Sequence, residues 1–177
     1  IADADKKAGR DAKEGVIASR ILDDGTGILV EVNCETDFVA KNDNFKEFVD
    51  QILDHISESD DAEDLEALLA QDYVGDTSQK FEEFLKAKVG QLGENMGVSR
   101  FIKSNNEGSV VDAYIHPPGR IGVLTEVAVD DKKTADNDSF KQFMKDLNMH
   151  IAASSPLCVD RDGVPEDKVE AEKDIFR

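Results

Sequence analysis

The chain reads as an α+β protein with two related subdomains, each a small antiparallel sheet with helices packed on one face. Three observations lead there: a long segment that recurs at fixed spacing, period-two apolar alternation, and apolar stripes at helical spacing. The recurrence sets the organisation. "GILVEVN" from Gly27 matches "GVLTEVA" from Gly122, and "NDNFKEFVDQILDHI" from Asn42 matches "NDSFKQFMKDLNMHI" from Asn137, both 95 residues apart. Upstream, "EGVIASRI" from Glu14 faces "EGSVVDAY" from Glu107 at a spacing of 93, which places a small insertion in one of the turns. Matches at one spacing point to an internal duplication, with a first subdomain over residues 14–104 and a second over 105–177.

Each copy opens with a strand, Val16 to Ile21 and Val110 to Ile115, followed by the turns "DDGTG" and "HPPGRIG", rich in turn-forming residues. In the second strand of the first copy Ile28, Val30, Val32 and Cys34 alternate with Leu29, Glu31, Asn33 and Glu35, the mark of a half-buried strand. A helix follows, with Phe45, Phe48, Val49, Ile52, Leu53 and Ile56 on one stripe, repeated in the second copy by Phe140, Phe143, Met144, Leu147 and Ile151. Asn44 with Glu47, and Ser139 with Gln142, have capping-box spacing at the two helix starts. Between the copies, "SESDDAEDLEALLAQDYVGDTSQ" reads as an acidic surface excursion with a short helix near Leu65 to Leu69. Phe81, Leu85, Val89, Leu92 and Met96 then make a longer helical stripe ended by Gly97, and "SRFIK" is a candidate third strand. Pro156 breaks the chain after the second long helix, and the polar remainder offers no partner strand.

The 21 basic and 39 acidic residues give a net charge of −18, with no basic stripe. Phosphate backbones need clustered Lys and Arg, so nucleic acid and anionic membrane surfaces are excluded as partners. No apolar run approaches the roughly 18 residues of a membrane helix. Cys34 and Cys158 make no disulfide framework, which with the absence of a signal peptide points to a cytoplasmic, reducing environment. The chain starts at Ile1 without a methionine and ends in the helix-like "EKDIFR", so both ends read as cut from something longer.

The two copies differ at one conspicuous place. Thr36-Asp37-Phe38-Val39 aligns with Asp131-Lys132-Lys133-Thr134, so the fold of the repeated unit does not require the aromatic Phe38. A ring packed on its own helix is the bland reading; a ring presented to a partner is the other. Here "EVNCETDFVAK", residues 31 to 41, resembles the signature of elongation factor Ts, the guanine-nucleotide exchange factor for elongation factor Tu. "GENM" at Gly93, "GRIGVL" at Gly119 and "MHIAAS" at Met149 are similar to that family in the same order. The resemblance implies that residues 1–13 are the junction after a missing N-terminal ubiquitin-associated-like module, and that part of the C-terminal region is missing too. It implies that Thr36, Asp37, Phe38 and Val39 bind elongation factor Tu and dislodge its magnesium ion. Phe38 would be the wedge and Asp37 its polar anchor, with Thr36 and Val39 holding the loop. No cofactor is implied, nor any bond-making chemistry. The partner would be the GDP-bound and nucleotide-free forms of elongation factor Tu, with a homodimer left open. A docking module without exchange activity is the alternative.

Other candidates read as structural. Cys34 shares the apolar side of its strand, so a buried inert thiol outweighs a thiol enzyme. His55 and His150 have no second histidine or cysteine at i±4, and His116 sits in a turn. "DDAED" lacks the glycine and terminal glutamate of a calcium loop. No G-x-x-x-x-G-K phosphate loop occurs, so the chain is not itself a GTPase.

Overall fold

The computed structural model describes residue 7 and residues 9–175. Part of the stretch read as a junction, residues 1–6 and 8, and the last two residues of "EKDIFR" lie outside the described residues. Strands β1 (Glu14–Ile21) and β2 (Gly27–Cys34) form an antiparallel hairpin with Ile21 opposite Gly27 and Glu14 opposite Cys34. On the other side of β2 runs β5 (Met96–Ser104), giving the order β1-β2-β5. The expected third strand is therefore present, and longer than "SRFIK". A register shift between Glu31 and Val32 puts a bulge in the β2–β5 ladder.

After β2 come a single-turn helix α1 (Asp37–Ala40) and α2 (Asp43–Glu58). All six apolar residues of the α2 stripe are buried, against Ile28, Val30, Val32 and Cys34 of β2. Removing each of these side chains from water contributes roughly 1.5–3 kcal/mol. Helices α3 (Leu65–Ala70) and α4 (Phe81–Leu92) close the core with Leu68, Phe81, Phe84, Leu85 and Val89.

Three local expectations need correcting. The helix caps are Asn42 and Asn137, whose side chains accept from Asn44 N and Ser139 N, so each helix starts two residues before the proposed capping box. Helix α4 ends at Gly93, not Gly97, because Gly93 adopts the left-handed conformation at φ 86°. Met96 is buried as expected, but as the first residue of β5. The acidic excursion contains a small hairpin, β3 (Asp72–Tyr73) and β4 (Asp76–Lys80), pinned by a Lys80–Asp72 ion pair and by Tyr73 stacked on Phe84 at 4.0 Å.

The second unit is leaner. β6 (Ser109–His116) and β7 (Ile121–Ala128) pair in register, a 3-10 turn follows at Lys132–Asp136, and α5 (Asp138–Ser154) packs on the hairpin. Among the described residues this sheet has two strands. Met144 is buried, whereas Phe143, expected on the same inward stripe, is 51% exposed: α5 has too little opposite it to cover a wide apolar face. Asn148, fully buried, accepts from Thr125 Oγ1 at 2.9 Å and donates to Asp112 at 2.8 Å. The terminal helix α6 (Glu166–Ile175) buries none of its residues. The two hairpins pack on each other, with Ile17 N donating to Gly119 O at 2.7 Å and an Arg120–Glu14 ion pair beside it.

Candidate functional site

Strand β2 delivers Cys34 to the end of the sheet, and the chain leaves it through Glu35 into α1. Thr36 is the N-cap: its backbone is extended, and its Oγ1 accepts from Val39 N at 3.3 Å. The Thr36 carbonyl accepts from Ala40 N at 3.2 Å and from the Cys34 thiol at 3.2 Å. Asn42 N donates to Val39 O at 2.9 Å and closes the turn onto α2. Val39 packs against the core, which fixes the inner side of this turn. The outer side carries Phe38, whose residue surface is 83% exposed. A ring this open on an ordered turn contributes nothing to the core.

Asp37 forms an i,i+4 ion pair with Lys41 at 2.7 Å. That hydrogen bond, and the Lys41 charge, hold the Asp37 carboxyl below the usual carboxylate range. Thr36 caps the turn, and the Asp37 side chain stays 45% exposed beside Lys41.

A residue to which the sequence reading gave no role completes the site. Glu94, directly after the left-handed Gly93, accepts from Glu35 N at 3.1 Å and Thr36 N at 3.0 Å through Oε2, and from Thr36 Oγ1 at 2.6 Å through Oε1. Glu35 returns the contact, accepting from Asn95 N at 2.6 Å, while Asn95 Nδ2 donates to Arg10 O at 2.7 Å. The two junctions meet because Cys34 and Met96 are cross-strand partners. No local pattern could announce a contact 58 residues apart; "GENM" was visible only as a family-like string.

The remaining candidates resolve as structure. Cys34 is fully buried, and burial pushes its thiol up to about 11, which removes it as a nucleophile at neutral pH. His55 is buried, stacked on Phe81 at 3.9 Å. His116 lies in hydrogen-bond contact with Tyr114, and His150 is exposed. Within "DDAED", Asp64 caps α3 through Ala67 N and Asp61 pairs with Lys103. Among the described residues no three His, Cys, Asp or Glu side chains gather to hold a metal, and no helix is long and apolar enough to cross a membrane.

The family model described as "Elongation factor TS" matches residues 35–177. The elongation factor Ts of Trichlorobacter lovleyi is 43% identical over 178 residues, covering 100% of this chain and 57% of the relative. That of Clostridium novyi is 39% identical over 178 residues, covering 100% and 56%, and that of Alkalilimnicola ehrlichii 42% over 177 residues, covering 99% and 56%. The chain thus spans a little over half the length of these curated relatives.

Proposed function

The chain belongs to the elongation factor Ts family, and from that premise we propose that it acts in guanine-nucleotide exchange on elongation factor Tu, promoting GDP release during translation elongation. The observation that supports this most directly is Phe38, an exposed aromatic on a turn anchored from behind by Val39 and Thr36. An exposed large apolar side chain beside an acid suits a presented anchor. In this reading Thr36, Asp37, Phe38 and Val39 enter the nucleotide-binding domain of the partner near its magnesium site. The ring wedges between helices, and the magnesium ion and phosphates lose their hold. No bond is made or broken in this chain's own residues.

Energetics limit what the wedge does alone. Accelerating release by ~10⁴-fold requires about 5.5 kcal/mol of differential binding, while burying one phenylalanine contributes roughly 1.5–3 kcal/mol. A second contact has to hold the partner, and the second unit, with its exposed Phe143 and Met149, is the surface available for it. Linkage then requires that nucleotide weaken the partner's affinity for this chain by the same factor.

Release of fluorescent GDP from elongation factor Tu tests the reading. Wild type accelerates release, and Phe38→Ala, which removes no core contact, retains the fold and slows release by at least about tenfold. Binding without acceleration by the wild-type chain would make it a docking module instead.

A further inference from the structure

Glu94 holds three donors on one carboxylate, all from the two residues that precede the presented turn. We propose that Glu94 is a positioning residue for exchange: it sets the direction in which Phe38 is presented, acting through Glu35 and Thr36 without touching the partner. The proposal rests on the exchange reading above.

Helix α1 has four residues. A single turn is not stable by its own hydrogen bonding, because nucleation fixes several residues for very few bonds. Something outside the turn must hold it. On its inner side Val39 meets the core. At its start, Glu94 binds the backbone N–H of Glu35 and of Thr36 and also the Thr36 hydroxyl, the group that caps Val39 N. Hydrogen bonds to an ionised acceptor are the stronger kind. The Thr36 hydroxyl donates its proton to Glu94 and accepts from Val39 N, so clasp and cap form one chain of bonds that ends next to Phe38.

The clasp is itself rigidly mounted. Gly93 terminates α4, and the next residue turns back toward β2. Glu35 locks the same junction in return by accepting from Asn95 N. Each junction therefore caps the other: β2 to α1 through Glu94, and α4 to β5 through Glu35.

The second unit supplies an internal comparison. At the position matching Thr36 stands Asp131, which caps its own turn by accepting from Lys133 N at 2.9 Å. Among the described residues no carboxylate from another element binds that turn, and the position matching Phe38 is Lys133. The clasp accompanies the turn that carries the exposed ring.

The test uses the full chain with elongation factor Tu loaded with fluorescent GDP, comparing wild type, Glu94→Ala, Glu94→Gln, Phe38→Ala and the Glu94→Ala/Phe38→Ala double variant. Glu94→Ala should lower the maximal release rate about tenfold while leaving the half-saturating concentration within about twofold, since a misdirected group loses rate more than docking. Glu94→Gln, which keeps one acceptor oxygen, should fall between. The double variant should be no slower than Phe38→Ala, because a residue that acts only through the ring has nothing left to position. In the free protein, amide hydrogen exchange at Glu35 and Thr36 should quicken by at least about tenfold in Glu94→Ala while the β1–β2 amides keep their protection. Equal slowing by Glu94→Ala with and without Phe38 overturns the proposal, as do unchanged Glu35 and Thr36 amides. If Glu94→Ala fails to fold, Glu94→Gln carries the same comparison. Should Phe38→Ala release GDP at the wild-type rate, the exchange reading fails first, and the amide measurement alone decides whether Glu94 holds the turn.

Discussion

Gly27 and Gly122 seat the two hairpins on each other through matching contacts. A Cβ on Gly27 would fall under 3.0 Å from Val111 Cγ1 and Leu124 Cδ1; one on Gly122 would lie 2.5 Å from Ile17 Cγ2 and 3.1 Å from Leu29 Cδ1. The glycines are 95 residues apart in sequence, and so are Leu29 and Leu124. Each hairpin thus offers the other a bare backbone position beside its own leucine, the self-complementary arrangement of a two-fold interface. The nearest obstacles, Val111 and Ile17, are β-branched and stiff at χ1, so neither swings aside cheaply. Gly27→Val and Gly122→Val should each destabilise the protein by about 1–3 kcal/mol through overpacking. Urea unfolding measures this, and a change below about 0.5 kcal/mol in either variant would show that the hairpins part without cost.

Gly90 behaves oppositely. It lies inside α4, is exposed, and has open space where a Cβ would stand. Glycine loses more backbone freedom in a helix than alanine does. Gly90→Ala should therefore stabilise by roughly 0.5–1 kcal/mol. An unchanged or lowered urea midpoint would mean that the end of α4 needs its freedom.

The elements with strong periodicity were legible: β1, β2, α2 and α5 stand where alternation and apolar stripes place them. Errors came where two signals overlapped or where no signal was local. Met96 continues the helical stripe of α4 in spacing, yet the left-handed Gly93 ends the helix first, and Met96 reaches the core from a strand. Asn42 and Asn137 cap by reaching two residues ahead, a pattern hidden beneath the three-residue spacing of Asn44 with Glu47. The β3–β4 hairpin is too short and polar to alternate visibly; Tyr73 and its stacking partner Phe84 belong to separate elements. At the site, the exposed ring of Phe38 could be anticipated because residues 131–134, which the 95-residue spacing sets against 36–39, carry no aromatic. The Glu94 clasp could not, because it exists only once β5 lies beside β2.

His55 should give the fold a pH dependence. Its Nδ1 accepts from Val74 N at 3.4 Å, its ring stacks on Phe81, and burial holds its pKa below the ordinary value. As pH falls below about 6.5 the unfolded chain protonates this histidine while the folded protein does not, so the unfolded state binds more protons. Stability attributable to His55 is thus full above that pH, falls as pH drops toward the depressed folded pKa, and levels off below it. His55→Phe, which keeps the stacking and cannot titrate, should show a shallower loss of urea midpoint between pH 7 and 5 than wild type. Identical slopes would mean that the folded protein accepts the proton as readily as the unfolded chain.

Asp37 separates partner recognition from folding at the site itself. Its half-exposed carboxylate bonds Lys41 on the surface, so Asp37→Ala should shift the melting temperature by no more than about 2 °C. Lys41 keeps the carboxyl below its usual range, so Asp37 stays ionised through neutral pH and its contribution to exchange should not vary between pH 6 and 8. If the carboxylate serves the partner, Asp37→Ala slows GDP release, Asp37→Asn does so with the shape preserved, and Lys41→Ala leaves the rate close to wild type. If it serves only to hold Lys41, the Lys41→Ala and Asp37→Ala rates fall together. A charge contact to the partner should also weaken with added salt, since a surface pair is screened over about 10 Å at 0.1 M ionic strength. Measuring release for these three variants at low and high salt therefore decides whether Asp37 anchors the turn on the partner. Wild-type rates for Asp37→Ala at both salt levels would remove Asp37 from the contact and leave Phe38 as the side chain the turn presents.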